Sequence, residues 1–417
     1  MRVYLLVLLI AAAVTFLLTP LARWVALRTG AITAVRDRDV HSIPTPRLGG
    51  LAMLAGLAAA IVFASQMPFL DGVFATHEVW AIVGGAAIVC LLGMADDIWD
   101  LDWMTKLAGQ VLAAGLIAWQ GVQLITLPIG GLTITSPRVS LFATVLVVVV
   151  AMNAVNFVDG LDGLAAGMIA IGGVAFFLYS YSLTVEASPE DYSNLATLVM
   201  AALVGICVGF LPHNFHPARI FMGDSGSMVL GFVMASATIV VTGNIDLAAT
   251  PASQQIPAFI PILLPLAVLL LPLLDMALAV MRRVLAGKSP FHPDRMHLHH
   301  RMLALGHSHR RAVVILYLWT AVFAFGTAAL VRWPVRHVLL GLGVAVVLAL
   351  LLTLGPLRTR GKFLDDDAGA VVVPPDLLTD APPGSPAPAP ATAGTAAGPG
   401  PAPRPDPSDH HAEGTLR

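Results

Sequence analysis

The chain has 417 residues, of which 57% are hydrophobic and only 12% are charged. Soluble domains carry about a quarter charged residues, so this composition excludes an ordinary water-soluble fold. The 23 Lys and Arg residues are balanced by 25 Asp and Glu residues, which leaves no basic excess for holding a nucleic acid. The two cysteines, Cys90 and Cys207, lie in apolar runs and are expected to be buried thiols rather than a disulfide or a zinc site.

Eleven apolar segments approach the roughly 20 residues that a helix needs to cross a bilayer. In chain order they cover residues 3–20, 48–66, 79–95, 105–121, 139–157, 163–183, 194–212, 225–243, 256–281, 312–331 and 336–354. The first is kept as a span because no small-residue cleavage site follows its apolar run. The sequence therefore predicts an all-α polytopic membrane protein with about eleven transmembrane helices.

The basic residues predict the orientation, because Lys and Arg near span ends stay on the cytoplasmic side. If the N-terminus lies outside, all but four of the 23 Lys and Arg fall on the cytoplasmic side. The four exceptions are Arg2, Arg138, Arg332 and Arg336. This asymmetry predicts an outside N-terminus and a cytoplasmic C-terminus.

The sequence changes character from about Asp365, after which it becomes rich in Pro, Ala and Gly. Such a segment lacks the apolar side chains that offset the entropy lost on ordering. We therefore predict a transmembrane domain over residues 1–355 and a disordered Pro/Ala-rich cytoplasmic tail over residues 356–417.

Scarce carboxylates gather beside the predicted cytoplasmic span ends, where ionisable groups are costly and usually functional. The first group is Asp96, Asp97, Asp100 and Asp102. Adjacent carboxylates supply the hard oxygen ligands that Mg2+ prefers. Asp96 and Asp97 are therefore candidates for binding a metal or a pyrophosphate, and an exposed acidic loop is the alternative.

A second polar group ends the fifth predicted span. It contains Asn153, Asn156, Asp159 and Asp162, with glycines at positions 160 and 163. Residues three apart share a face of a helical turn, and glycines allow the backbone to approach a ligand closely. A ligand-binding turn and a purely structural helix-to-helix turn are both compatible with this pattern.

The segment Phe221–Ser227 opens the eighth predicted span and contains Asp224. Asp224 could simply cap that helix. A helix N-terminus with small residues is also a favourable place for a phosphate, and an Asp there would hold the metal that bridges to the phosphate.

The longest predicted cytoplasmic loop is dense in histidine and positive charge. These residues are Lys288, His292, Arg295, His297, His299, His300 and Arg301. Zinc is an alternative ligand for such a cluster, but the neighbouring cations would repel it. Contact with phosphates, whose charge the loop would neutralise, is favoured. His307 and His309, which follow, are expected to lie on the surface.

The ordered motifs DD-x-x-D, NxxNFxDGxDGLA, FMGDSGS and HLHH resemble the polyprenyl-phosphate N-acetylhexosamine-1-phosphate transferase superfamily, glycosyltransferase family 4. The resemblance covers roughly residues 1–355, which would be the catalytic domain. The segments HPDRMHLHHRML and Pro46–Gly50 are similar to the GlcNAc-1-phosphate transferase branch. The implied reaction transfers GlcNAc-1-phosphate from UDP-GlcNAc to a polyprenyl phosphate and releases UMP, the first lipid-linked step of a cell-envelope polysaccharide.

The resemblance also implies roles for individual residues. Asp224 and Asp97 would bind the metal, Mg2+ or alternatively Mn2+, and the catalytic carboxylates would be Asp96, Asp97, Asp159 and Asp162. The substrate-binding residues would be Asn153, Asn156, Arg295, His297, His299, His300 and Arg301. The implied location is the bacterial plasma membrane with a cytoplasmic site, and a homodimer is a further expectation.

Two other functions stay open at this point. One is transfer of phospho-MurNAc-pentapeptide in peptidoglycan synthesis. The other is ion-coupled transport or lipid flipping, which also uses intramembrane acids such as Asp275 but places them near the midplane. For the transferase, direct attack of the lipid phosphate on the β-phosphorus is our hypothesis, and a covalent Asp intermediate is the alternative.

Overall fold

The computed structural model describes residues 1–32, 44–124, 136–187, 193–243, 260, 263–264, 266–285, 287, 302 and 307–354. The chain divides into two units, Met1–Gly361 and Lys362–Arg417. The predicted cytoplasmic tail, 356–417, lies outside the described residues, so its disorder stays a prediction.

The described residues form helices, whose bounds follow in chain order. They are α1 (Arg2–Thr29), α2 (Gly49–Ala64), α3 (Asp71–Phe74), α4 (Glu78–Trp99), α5 (Trp103–Trp119), α6 (Pro137–Val158), α7 (Leu164–Ala187), α8 (Leu195–Asn214), α9 (Gly223–Gly243), α10 (Leu270–Leu285), α11 (His309–Ala329) and α12 (Val335–Leu354). A short 3-10 helix, Pro68–Leu70, precedes α3. Each of the eleven predicted segments overlaps one of these helices, and the protein is an all-helical, multi-pass membrane protein.

Within the described residues, eight helices are long and apolar enough to cross a membrane. The count is nine if α2 and the bent segment after it, which turns by 97°, form one span. Helices α5 and α10 are shorter, with 17 and 16 residues. The predicted total of eleven spans and the predicted orientation of the termini therefore stay predictions.

Local sequence signals explain where several helices begin and end. Asp102 caps the start of α5 by accepting hydrogen bonds from the N–H groups of Met104 and Thr105 at 3.0 and 3.1 Å. Asp100 ends α4 in the left-handed conformation, which Asp tolerates better than most residues. These two acids are thus helix caps, a role that the sequence analysis did not predict for them.

Helix α9 lies at the centre of the helical bundle, and its entire membrane-length window is buried. It packs against α4 and α6, and also against α2, α7 and α8. A helix that is apolar on every side is expected to be buried in this way. Helix α12, whose window is only 11% buried, lies at the periphery. The N-terminus of α9, which carries Asp224, is consequently surrounded by other helices.

Small residues allow the closest helix approaches, as in other membrane proteins. A Cβ atom on Gly209 of α8 would collide with the backbone of Ala12 of α1, and one on Gly56 of α2 would collide with Thr15. These contacts hold α1, α2 and α8 together on one side of α9.

Candidate active site

The N-terminus of α9 is capped by a carboxylate from another helix. Asp97, near the end of α4, accepts hydrogen bonds from the N–H of Asp224 at 3.1 Å and from the N–H of Ser225 at 3.2 Å. The first N–H groups of a helix have no partner within that helix, and a carboxylate there also interacts favourably with the helix dipole. Asp97 therefore fixes where α9 begins and where Asp224 points.

Two glycines make this close approach sterically feasible. Gly223 adopts a positive φ of 68°, and a Cβ atom there would collide with the Asp97 carboxylate. A Cβ atom on Gly93, one turn earlier on α4, would collide with the backbone of Asp224 and Ser225. The FMGDSGS motif thus has a structural reason for its first glycine.

The segment before α2 is joined to the segment before α9 by backbone hydrogen bonds. Phe221 donates to the carbonyl of Pro46 at 2.8 Å, Gly49 donates to Phe221 at 3.0 Å, and Gly50 donates to Met222 at 3.1 Å. These bonds bring Pro46–Gly50, which the sequence analysis linked to the GlcNAc branch, to the side of Asp224.

Both carboxylate oxygens of Asp224 contact side chains from neighbouring helices. Asn156 of α6 donates from Nδ2 to Asp224 Oδ1 at 2.8 Å, and Lys106 of α5 donates from Nζ to Asp224 Oδ2. Lys106 also contacts Asp96 Oδ2 of α4 at 2.9 Å. We call Lys106, Asn156 and Asp224 the site layer, because each comes from a different helix and all three meet at one place.

This donor set fits a divalent cation. The carboxylates of Asp96 and Asp224 both point at one cationic atom, Lys106 Nζ, so their oxygens already converge on a shared position. Mg2+ is typically bound by one or two carboxylates, with waters and substrate phosphates completing its shell. Asp97 is engaged by the α9 backbone, so Asp96 and Asp224 are the better-placed pair.

Asp159 lies directly after α6, where its N–H bonds to the carbonyls of Val155 and Asn156. Burial raises the pKa of Asp159 to about 8, and the nearby charges of Asp224 and Asp97 add to this effect, while Arg47 opposes it. Asp159 is therefore electrostatically part of the same site.

Asp162 belongs to a neighbouring but different cluster. Its Oδ2 accepts hydrogen bonds from the N–H of Ala218 at 3.1 Å and lies 2.7 Å from His216 Nδ1. The N–H of Asp162 donates to His309 Nε2 at 3.1 Å, and the two imidazole rings stack with centroids 4.4 Å apart. The turn after α6 is thereby fastened to the segment before α9 and to the start of α11.

The expectation of a surface position is wrong for His307, and His309 is half-buried. His307 is buried and its Nε2 contacts the carbonyl of Thr353 at 2.8 Å, and His309 stacks on His216. Both histidines make specific contacts where the chain enters α11, which sequence spacing alone could not reveal.

Asn153 lies one turn below Asn156 on α6. Its Nδ2 donates to Gln110 Oε1 of α5 at 2.8 Å and to the backbone carbonyl of Val149, one turn earlier on α6, at 2.8 Å. The structure thus brings Asp96, Asp97, Asn156, Asp159 and Asp224 together and places Asn153 beneath them.

The histidine-rich loop lies outside the described residues. Its predicted site residues are Arg295, His297, His299, His300 and Arg301, and their positions stay predictions. The residues just after the loop are described: Arg310 donates to the carbonyl of His216 at 3.1 Å, so α11 begins beside the Asp162 cluster.

In the sequence analysis Lys106 served only as a topology signal, and Arg47 served as a topology signal and as part of the Pro46–Gly50 segment. A stronger signal was present for Lys106, because it is one of only three lysines and lies within an apolar segment, where charged residues are usually functional.

Comparison with known proteins identifies the family. The family model described as Glycosyl transferase family 4 matches residues 79–242. A decaprenyl-phosphate N-acetylglucosaminephosphotransferase from Mycolicibacterium smegmatis is 44% identical over 356 residues, covering 84% of this chain and 88% of the relative. The protein of the same name from Mycobacterium tuberculosis is 43% identical over 367 residues, covering 86% and 90%. A probable undecaprenyl-phosphate N-acetylglucosaminyl 1-phosphate transferase from Bacillus subtilis is 31% identical over 316 residues, covering 75% and 81%.

The chain therefore belongs to glycosyl transferase family 4, and within it to the branch of polyprenyl-phosphate GlcNAc-1-phosphate transferases. The predicted resemblance is confirmed.

Proposed function

We propose that this protein transfers GlcNAc-1-phosphate from UDP-GlcNAc to a polyprenyl phosphate, giving polyprenyl-diphosphate-GlcNAc and UMP. The observation that carries the proposal is the convergence of Asp96, Lys106 and Asp224 at the N-terminus of the buried helix α9. The names of the relatives at 41–44% identity favour decaprenyl phosphate as the acceptor.

In the proposed reaction, an oxygen of the lipid phosphate attacks the β-phosphorus of UDP-GlcNAc. A new P–O bond forms there, the bond from the β-phosphorus to the oxygen bridging the two phosphates breaks, and UMP leaves with that oxygen. A phosphate monoester has a second pKa near 6 and is largely ionised at neutral pH. A general base is therefore of little use, and positioning and charge neutralisation supply most of the rate enhancement.

The site residues have distinct parts in this scheme. Asp224 and Asp96 would hold Mg2+, or Mn2+ in its place, which supplies charge neutralisation on the diphosphate. Lys106, which lies between these two carboxylates, would donate hydrogen bonds to phosphate oxygens of the substrate. Asn156 keeps Asp224 oriented, and Asp97 holds the start of α9.

An apolar cavity along the helices supports a lipid acceptor. It has a volume of about 340 Å³ and lies among α6, α9 and the chain around α10. Its lining is Leu124, Leu146, Val147, Val150, Ala151, Ala235, Thr238, Ile239, Leu266, Leu269 and Leu273. The cavity lies along α6 and α9, away from Asp224, and would hold part of the apolar prenyl chain.

The proposal includes the arrangement of the protein in the membrane. The apolar segments support eleven spans, and the distribution of Lys and Arg supports an outside N-terminus and a cytoplasmic site. The bacterial relatives support a plasma-membrane location. Water-soluble UDP-GlcNAc would then reach the site from the cytoplasm, while the acceptor would arrive through the bilayer.

The direct test is UMP release by the purified protein in detergent with UDP-GlcNAc, decaprenyl phosphate and Mg2+. We expect UMP only when all three are present, and Asp224→Ala serves as the inactive control. UDP-MurNAc-pentapeptide and UDP-GalNAc, offered in place of UDP-GlcNAc, test the donor. Faster release from UDP-MurNAc-pentapeptide would refute the proposed donor, and a ping-pong pattern of initial rates would refute direct attack.

A further inference from the structure

A second layer of side chains lies one helical turn below the site layer. It consists of Gln110 on α5, Asn153 on α6 and Met228 on α9, and we call it the lower layer. Each member lies three or four residues from the site-layer residue on its own helix, a spacing that places two side chains on the same face. The two layers therefore join the same three helices at successive turns.

The lower layer is held by hydrogen bonds. Asn153 Nδ2 donates to Gln110 Oε1 at 2.8 Å, and Gln110 Nε2 donates to Met228 Sδ at 3.2 Å. Gln110 is only 1% exposed, so water cannot replace these partners. A buried amide that is left without a partner destabilises the folded protein. The bonds consequently restrain rotation and sliding of α5 against α6 and α9.

This restraint matters because the contacts of the site layer depend on the position of α5 relative to α6. Lys106 and Asn156 contact different oxygens of the same Asp224 carboxylate, so a small shift of α5 relative to α6 would change both contacts. Apolar packing specifies such a register less strongly than a satisfied buried hydrogen bond does. The lower layer is thus well placed to hold the carboxylate that the proposed metal requires.

We infer that Gln110 is a positioning residue that acts through Asn153 to keep Asp224, Lys106 and Asn156 in register. Asn153 then contributes to the reaction by holding Gln110 and does not touch the substrate. The inference deepens the proposed function and rests on it wherever it predicts a change in enzymatic activity. The predicted change in metal affinity can be measured without turnover.

The test compares the wild type with Gln110→Met, which keeps the size of the side chain and removes both hydrogen bonds. Partners that orient metal ligands typically change affinity or activity by about 10–100-fold. We expect kcat to fall by about that factor, while KM for UDP-GlcNAc changes little. The dissociation constant of Mn2+, measured by electron paramagnetic resonance on the purified protein, should rise by about 10-fold or more.

A swapped pair supplies the rescue. Gln110→Asn combined with Asn153→Gln keeps one amide on each helix and the same total side-chain length. It should recover most of the kcat and the Mn2+ affinity that Gln110→Met loses. If Gln110→Met does not fold, Asn153→Leu removes the same hydrogen bond from α6 and takes its place.

A matched control exists at the far end of the same helix pair. Thr144 of α6 accepts a hydrogen bond from the N–H of Leu124 at 2.9 Å, and its position is about 18 Å along α6 from Asn156 at 1.5 Å per residue. Thr144→Val should lower thermal stability and leave Mn2+ affinity unchanged.

Three results would overturn the inference: unchanged kcat and Mn2+ affinity in Gln110→Met, an equal loss of Mn2+ affinity in Thr144→Val, or a swapped pair no better than Gln110→Met. If the wild type releases no UMP, the proposed function fails. The Mn2+ comparison between the variants still decides whether Gln110 positions the site.

Discussion

Replacing Lys106 by Met should make the stability of this protein depend on a divalent cation. The ammonium of Lys106 lies between two carboxylates, at 2.9 Å from Asp96 and in direct contact with Asp224. Without it, two negative charges would face each other at the N-terminus of α9. Like charges at such separation destabilise the folded state unless a cation or a proton compensates them.

The magnitude follows from the burial of the three side chains. Removing one partner of a fully buried ion pair costs about 3–5 kcal/mol, whereas exposed pairs contribute about 0–1 kcal/mol. The side chains of Lys106, Asp96 and Asp224 are 22%, 14% and 21% exposed, so an intermediate loss of about 2–3 kcal/mol is expected. A ligand at 100 times its dissociation constant stabilises by about 2.7 kcal/mol, and bound Mg2+ could therefore offset the loss.

The assay is thermal unfolding in detergent, with EDTA or with increasing Mg2+. Lys106→Met should unfold several degrees below the wild type in EDTA and approach it at high Mg2+. In the wild type Mg2+ must first displace Lys106 from the carboxylates, so its effect should be smaller there. Arg138→Met removes a cation from the opposite end of the bundle and is the control for a general effect of charge. Equal Mg2+ responses of Lys106→Met and the wild type would refute the reasoning.

Three further predictions concern other residues of the site. Asp224→Ala should abolish UMP release at any practical Mg2+ concentration while the protein still folds, and wild-type turnover would contradict the metal-ligand assignment. His299→Ala should weaken handling of UDP-GlcNAc, seen as a higher KM in initial-rate kinetics, and unchanged kinetics would remove the histidine loop from the site. Burial raises the pKa of Asp159 to about 8, above its value near 3.9 in an unfolded chain. The folded state then binds more protons than the unfolded state between about pH 4 and pH 8, so stability without divalent cation should fall as pH rises through this window. Asp159→Asn should flatten that dependence of the melting temperature, and an identical pH profile would contradict the assignment.

The architecture was largely accessible from the sequence, because the bilayer limits the choice of structure. Backbone groups in hydrocarbon must be hydrogen-bonded within the segment, and so apolar segments of about 20 residues become helices. This is why each predicted segment overlaps a helix. The ends of the helices were less predictable. Helix α4 continues through Asp96 and Asp97 to Trp99, because the residue that ends it in the left-handed conformation is Asp100.

The chemistry of the site was accessible as well, because charges are scarce in this chain. Carboxylates that stand out in an apolar sequence are expected to be functional, and Asp96, Asp97, Asn156 and Asp224 meet in the structure. Family membership came from the order and spacing of these residues, and the comparisons confirm it.

The separate role of each of these residues is visible only in the tertiary structure. The sequence could not show that Asp97 caps α9 while Asp96 shares a cation with Asp224, because adjacent residues on a helix point in different directions. Nor could it show that Asp162 joins His216, since the two residues lie 54 positions apart. Lys106 and Gln110 acquire their roles only because α5 packs between α4 and α6, from where both side chains reach α9. Composition and spacing thus determine which groups are available and in which membrane architecture, and helix packing decides which groups touch.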